Sequence, residues 1–210
     1  MEFRDYAPLE LRAEAGALDR LHSDIVGFGL KVAAHYLREV WLQTGDGSFV
    51  VIGVNQRDLE FKFEVFGLWL ATPAVLTANI LRKGWNFPAP KPPETFEAWP
   101  VATPWRIQVL RRAEFIVEDV VIEGALGEDP IAQDAARPGE IPDEASAQFE
   151  VAVGLLFTGA DGARLIVGVD WFPETLVFLR DEDQIDQYVA CCETTDLLGY
   201  RADAWETSPR

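Results

Sequence analysis

The chain has 210 residues, 49% hydrophobic and 25% charged, a balance that builds a core and excludes a disordered polypeptide. Thirty-five acids against 18 bases give a formal net charge of −17, which excludes nucleic-acid backbones and anionic membranes as direct partners because such a surface repels them. Two adjacent cysteines, Cys191 and Cys192, exclude a disulfide framework.

Taken in chain order, Met1-Glu2-Phe3-Arg4-Asp5 is charged and no apolar stretch of an export signal follows, so a cytoplasmic location is expected. Leu11, Ala15, Leu18 and His22 recur on one helical stripe, predicting a helix from Pro8 to His22. Phe28, Leu30, Val32 and Ala34 then alternate as in a strand, with Gly27 and Gly29 marking a bulge or a close backbone approach. Runs from Leu37 to Gln43 and from Ser48 to Val54 flank Thr44-Gly45-Asp46-Gly47, a hairpin signal because Asp and Gly both tolerate positive φ. Leu59, Phe61, Phe63 and Val65 alternate with Glu60, Lys62 and Glu64, predicting an antiparallel strand with one wet face. A short helix is expected near 74–82, after Pro73.

Residues 85–104 interleave six prolines with Trp85, Phe87, Phe96 and Trp99, predicting an ordered connector whose rings fill gaps between two halves. Trp105 to Arg112 and Phe115 to Ile122 read as strands, and the Asp-, Glu- and Pro-rich segment 124–146 as an acidic loop. Phe149, Val151, Val153, Leu155 and Phe157 are expected on one face of the next strand. A second hairpin follows at Thr158-Gly159-Ala160-Asp161-Gly162, then strands at Leu165–Val169 and Thr175–Leu179. Asp181 to Cys192 is predicted as a helix, its first-turn acids complementing the helix dipole, ahead of a tail over 194–210.

The two hairpin sequences, aligned with Ala160 as an insertion, share six of eleven positions. The same offset sets Leu176 and Phe178 beside Phe61 and Phe63. The expected fold is α+β and strand-rich, with mostly antiparallel sheet from two related β units. Residues 1–84 hold the N-terminal helix and first unit, and 105–193 hold the second unit and a C-terminal helix, packed as one compact domain.

Little in the sequence carries catalytic chemistry. The two histidines, His22 and His35, fall on different elements, the Cys-x-x-Cys spacing is absent, and no Gly-x-Ser-x-Gly elbow or phosphate-binding glycine loop occurs. No metal or cofactor is therefore expected, and a non-enzymatic role is favoured. The acids are unevenly spread: residues 1–104 carry 13 acids and 10 bases, residues 105–210 carry 22 and 8. This predicts an acidic binding protein for a basic toxin, effector or regulatory partner. Trp171 and Phe172 would be its aromatic anchors, and Glu128, Asp129, Asp134, Glu140, Asp143 and Glu144 its charge. The alternative is a small-molecule or metal-binding domain or enzyme, with a pocket between the β units drawn from Asp170, Glu174, Asp181, Trp85 and Trp99. A self-associating scaffold, such as a homodimer that covers exposed strand edges, is the third reading.

Overall fold

The structure, a computed structural model, describes residues 4–5, 7–58, 64–82, 89–103, 105–117, 120–123, 145–170, 175–198, 200 and 202–204. In chain order these form β1 (Arg4–Asp5), β2 (Arg12–Ala13), α1 (Ala15–Leu21), β3 (Ile25–Ala33), β4 (Tyr36–Thr44), β5 (Phe49–Asp58), β6 (Glu64–Ala71), α2 (Pro73–Arg82) and β7 (Glu97–Ala98). There follow β8 (Trp105–Val117), β9 (Val120–Glu123), β10 (Ala145–Gly159), β11 (Arg164–Val169), β12 (Leu176–Leu179), α3 (Glu182–Ala190), β13 (Glu193–Asp196) and β14 (Asp203–Ala204). The fold is α+β, with two mostly antiparallel sheets and a few short helices.

One sheet runs β12-β11-β10-β8-β13, with β1 beside β10 and β9 beside β8; the other runs β14-β2-β6-β5-β4-β3-β7. Their facing sides share one apolar core. Val40, Leu42, Val50, Ile52, Leu68 and Leu70 of the second sheet meet Ile107, Val109, Leu155, Phe157, Leu165 and Val167 of the first. Phe28 of β3 stacks on Phe178 of β12 at 4.6 Å between ring centroids. Each side chain so buried contributes about 1.5–3 kcal/mol.

The N-terminal stripe predicts more helix than forms. Leu9 bridges to Val151 of β10, β2 pairs in parallel with β6, and only Ala15–Leu21 is helical. Leu11 is fully buried in the shared core, and its place on the stripe does not require a helix there. Glu14 starts α1 by accepting the Gly16 N–H on Oε1 at 2.8 Å, a cap in the sense of an N-terminal side chain satisfying an orphan donor. The chain thus crosses from one sheet to the other between Leu9 and Arg12. Its C-terminal segment also crosses, pairing β13 with β8 and β14 with β2. Glu10, Arg111 and Tyr200 join the two crossings: the guanidinium of Arg111 reaches both Glu10 oxygens at 2.9 Å, Tyr200 donates its hydroxyl to Glu10, and the Leu11 N–H donates to Tyr200 at 3.0 Å.

The connector lies against β3. Glu97 and Ala98 pair with Phe28 and Gly27, and a side chain at Gly27 or Gly29 would strike backbone oxygens of Glu97 or Thr95 at 2.9 Å. The strand also bulges between Ile25 and Gly27. Trp99 packs edge-on against Phe157 at 5.1 Å and Phe28 at 6.3 Å, one ring from each sheet.

Register corrects the sequence alignment of the two hairpins. Gln43 pairs with Phe49 and Thr158 with Arg164, so each pair encloses five residues and Ala160 is no insertion. Asp46 corresponds to Asp161 and Gly47 to Gly162, and the loops match bond for bond. Residue one donates to residue five (Thr44 to Ser48, Gly159 to Ala163), and residue four donates to residue one (Gly47 to Thr44, Gly162 to Gly159). Only the glycines take positive φ, +80° at Gly47 and +84° at Gly162, so each loop is a three-residue turn with a glycine bulge rather than a two-residue Asp-Gly turn. The aspartates serve through their side chains, accepting the N–H of Ser48 and of Ala163. Further along, Val54 pairs with Leu68 and Val169 with Leu176, so Leu176 corresponds to Leu68 rather than to Phe61. Residues 59–63 of the expected strand lie outside the described residues, and the described strand starts at Glu64.

A bulge between Ala152 and Gly154 likewise splits β10. Leu155 and Phe157 oppose Val109 and Ile107, whereas Phe149 and Val151 oppose Glu114 and Arg112, so these aromatic and aliphatic residues do not share one face as expected. Beyond the bulge, α3 covers the outer face of its sheet. Tyr188 fills the space above Gly168, where a Cβ would come within 2.4 Å of its hydroxyl, and that hydroxyl lies 3.0 Å from the carbonyl oxygens of both Val153 and Val169. The helix itself spans Glu182–Ala190, with Asp181 as its N-cap.

Between β3 and β4, Ala34 and His35 form a two-residue turn with φ of 50° and 72°. The alternation had placed Ala34 in a strand, because neither residue is a customary turn former. Left-handed backbone costs a residue with a Cβ about 1–2 kcal/mol. His35→Gly is therefore expected to stabilise the protein by about 1 kcal/mol, read as a higher urea midpoint at unchanged m-value.

Candidate functional site

The same five-residue turn has different neighbours in its two settings. In both, the N–H of its second residue donates to a carbonyl on the segment leading into the unit's first strand: Gly45 to Asp24 at 2.7 Å, and Ala160 to Ala102 at 3.3 Å. At the second turn that segment packs against Gly159, the counterpart of Thr44. A Cβ on Gly159 would meet Val101 at 2.9 Å and Ala102 at 3.0 Å, and Val101 is buried. At the first turn a solvent-open cleft of about 640 Å³ separates the hairpin from α1. Gly16, Asp19 and Arg20 of α1 form one wall, Thr44, Gly45 and Asp46 the other, and Ser23 and Asp24 join them.

Local chemistry sets each group in this cleft. The Arg20 guanidinium is anchored by neutral oxygens, Nε on Ser48 Oγ at 3.2 Å and Nη1 on the Gly16 carbonyl at 3.0 Å. Among the described residues Arg20 forms no ion pair. Asp46 accepts from the Thr44 hydroxyl at 2.5 Å and from the Ser48 N–H at 2.9 Å. These bonds, led by that of Thr44, hold its carboxyl at a pKa of about 2, so it is charged throughout the physiological range. Asp24 Oδ2 lies 3.3 Å from where a Gly45 side chain would begin, and Asp24 and Asp46 both line the cleft. The sequence marks this turn only as a hairpin signal. Its distinction from the second turn arises from α1, which arrives from elsewhere in the chain.

Most of the sequence-predicted contacts, Trp171, Phe172, Glu128, Asp129, Asp134, Glu140, Asp143 and Glu144, lie outside the described residues, as do Glu174 and Trp85. Of the rest, Asp170 sits at the start of the β11–β12 connection, its N–H donating to Thr175 at 2.9 Å. Asp181 follows the far end of β12 and accepts the Gln184 N–H at 3.1 Å. Since Val169 pairs with Leu176 and Ile166 with Leu179, β12 separates these two carboxylates instead of bringing them together. Trp99 lies near the Asp181 end, where Arg180 reaches Glu97 at 3.6 Å. Its ring packs between the sheets, and its indole nitrogen is buried without a hydrogen bond among the described residues.

The sequence did not single out the pair Arg112–Glu114. These two side chains share one face of β8 at 3.1 Å and are nearly inaccessible. Cys192 lies close enough to feel the Arg112 charge, yet burial prevails and pushes its thiol up to about 12; burial also raises Cys191. Both thiols donate to helix carbonyls, of Gln187 and of Tyr188, and neither is a thiolate at neutral pH. His22 caps the C-terminus of α1 and His35 sits in the β3–β4 turn. Among the described residues no group of three or more His, Cys, Asp or Glu side chains is placed to hold a metal ion, and no helix is long and apolar enough to cross a membrane.

No family model matches the chain, and no curated protein or solved structure matches it.

Two measurements probe these electrostatics. Glu114→Gln removes a buried carboxylate that pairs with the Arg112 guanidinium and is expected to cost about 3–5 kcal/mol in chemical denaturation. Asp46 has a depressed folded pKa, so its contribution to stability is present above the ordinary value of 3.8 and lost as pH falls through about 2. Asp46→Asn should flatten that part of the acid-unfolding curve and leave stability between pH 5 and 7 with the same slope as in the parent.

Proposed function

We propose that this chain is a non-catalytic binding protein that recognises a basic macromolecule, such as a toxin, effector or regulatory partner. The observation that carries the reading is the charge imbalance of residues 105–210: eight bases cannot neutralise 22 acids, so 14 negative charges remain however the ion pairs are arranged. In the described part of this half, Arg111 and Arg180 reach Glu10 and Glu97 of the first half, and the other paired arginines meet acids of their own half. Arg164 takes both Glu182 and Asp186, Arg106 takes Asp196, and Arg112 takes Glu114. Asp181 and Asp183 at the head of α3, and Glu193 at the start of β13, stay exposed. Such a field speeds encounter with cationic surfaces and selects against anionic ones. Trp171 and Phe172 are the proposed anchors, and the acids of 124–146 the proposed steering charge.

The same reading takes the two units as products of an internal duplication, supported by turns that match bond for bond. It places the protein in the cytoplasm, where free thiols such as Cys191 and Cys192 persist.

The test is co-purification from native lysate, with bound proteins identified by mass spectrometry and affinity then measured against the purified partner. Binding should weaken steeply with added salt. It should drop at least about tenfold when Glu128, Asp129, Asp134, Glu140, Asp143 and Glu144 are together replaced by their amides. A captured partner whose affinity ignores both salt and this replacement would sink the proposal.

A further inference from the structure

The cleft between α1 and the first hairpin combines groups that neither a simple anion nor a simple cation satisfies. Arg20 presents a guanidinium fixed in place by Ser48 and Gly16, with no carboxylate of the described chain engaged on it. This is unusual company: the arginines at 106, 111, 112, 164 and 180 all reach a carboxylate within 4.0 Å. Fixed by neutral oxygens, the fork forms no ion pair among the described residues, although Asp46 is near enough for the Arg20 charge to help lower its pKa, and a carboxylate is the geometric match for the remaining N–H donors. Around it stand Asp19, Asp24 and Asp46, which repel a phosphate, a dicarboxylate or any ligand that is only negative. Asp19 and Asp24 make no side-chain hydrogen bond or ion pair among the described residues, so both are open to a donor. One guanidinium and three carboxylates give the cleft a net charge of −2, and a polyamine would meet those acids while leaving Arg20 opposed by like charge.

We propose that this cleft binds an arginine or lysine bearing a free α-carboxylate, with Arg20 holding the carboxylate and Asp24 and Asp46 holding its cationic groups. The free amino acid carries one negative and two positive groups and a chain terminus one of each, and either sets its carboxylate on Arg20 and its cationic side chain on the acids. Asp24 and Asp46 line the cleft and suit a guanidinium or ammonium, and the bare Gly45 leaves Asp24 uncovered. The second hairpin lacks the site, because among the described residues no helix bearing a counterpart of Arg20 leads into its unit's first strand and Ala102 stands where the first unit has Asp24. This ligand site lies on the first unit and does not depend on the partner proposed for the acidic second half.

Calorimetric titration and thermal shift of the full chain with L-arginine and L-lysine test the assignment, alongside agmatine, which is arginine without its carboxylate. The free amino acids should bind and raise the melting temperature. Agmatine should bind at least about tenfold more weakly, and Arg20→Gln should weaken arginine by a similar factor while leaving agmatine unchanged or tighter. Asp24→Asn, which removes no internal side-chain bond, should weaken both ligands. A peptide ending in arginine, compared with its C-terminal amide, distinguishes a free metabolite from a chain terminus: tight binding of the acid form alone identifies the terminus as the source. Absence of binding by arginine, lysine and the peptide at millimolar concentration overturns the proposal. So does equal affinity for arginine and agmatine, or an Arg20→Gln variant that folds and binds arginine as the parent does.

Discussion

Each sheet presents an apolar face that only the other sheet can cover, and the geometry of that contact governs the rest of the molecule. Phe28 and Phe178 stack across the gap, and Trp99 places an indole against rings from both sheets. To deliver Trp99 there, the connector must run close along β3, and Gly27 and Gly29 clear its path. Hydrophobic burial of this kind is non-directional, so it fixes that the faces meet without fixing how the chain ends are secured. The ends are secured by hydrogen bonding. Residues on either side of Glu10 pair with opposite sheets, the C-terminal segment crosses alongside, and the Glu10–Arg111–Tyr200 contacts join the two crossings.

Charge plays a subordinate part in stability and a larger one on the surface. The described ion pairs of Arg106 and Arg164 are solvent-exposed, and exposed pairs contribute about 0–1 kcal/mol each. Arg112–Glu114 is the contrasting case, sealed within the fold, where separation of the partners is costly even though the pair itself adds little. Asp161 and Asp181 serve a turn and a helix start, and across residues 105–210 the acids still outnumber the bases by 14.

The two hairpins show how one local motif acquires different surroundings. Their turns share length, bulge glycine and aspartate side-chain bond. What precedes the first strand differs: a helix ending in His22 in one unit, and the end of the connector in the other. The helix stands off and leaves a cleft, whereas the connector packs directly against Gly159. The partner contacts expected from the sequence all fall in residues 105–210. The clearest difference among the described residues lies at the first turn.

Composition and periodicity by themselves determined the fold class, the positions of α2 and α3, both hairpins and the strand-rich character of each unit. These follow from local preferences, since Asp-Gly loops, proline-led helices and apolar alternation act over a few residues. Tertiary structure alone decided the extended path of Leu9 to Ala13, which abandons its helical stripe because two sheets offer it hydrogen bonds. It also decided the equal length of the two turns, the reversal of facing at the β10 bulge, and the Ala34–His35 turn, whose residues give no turn signal. Asp24, Asp46 and Arg20 were each visible as residues. That they line one cleft depends on how α1 packs beside a hairpin more than twenty residues downstream, a long-range contact that no local pattern encodes.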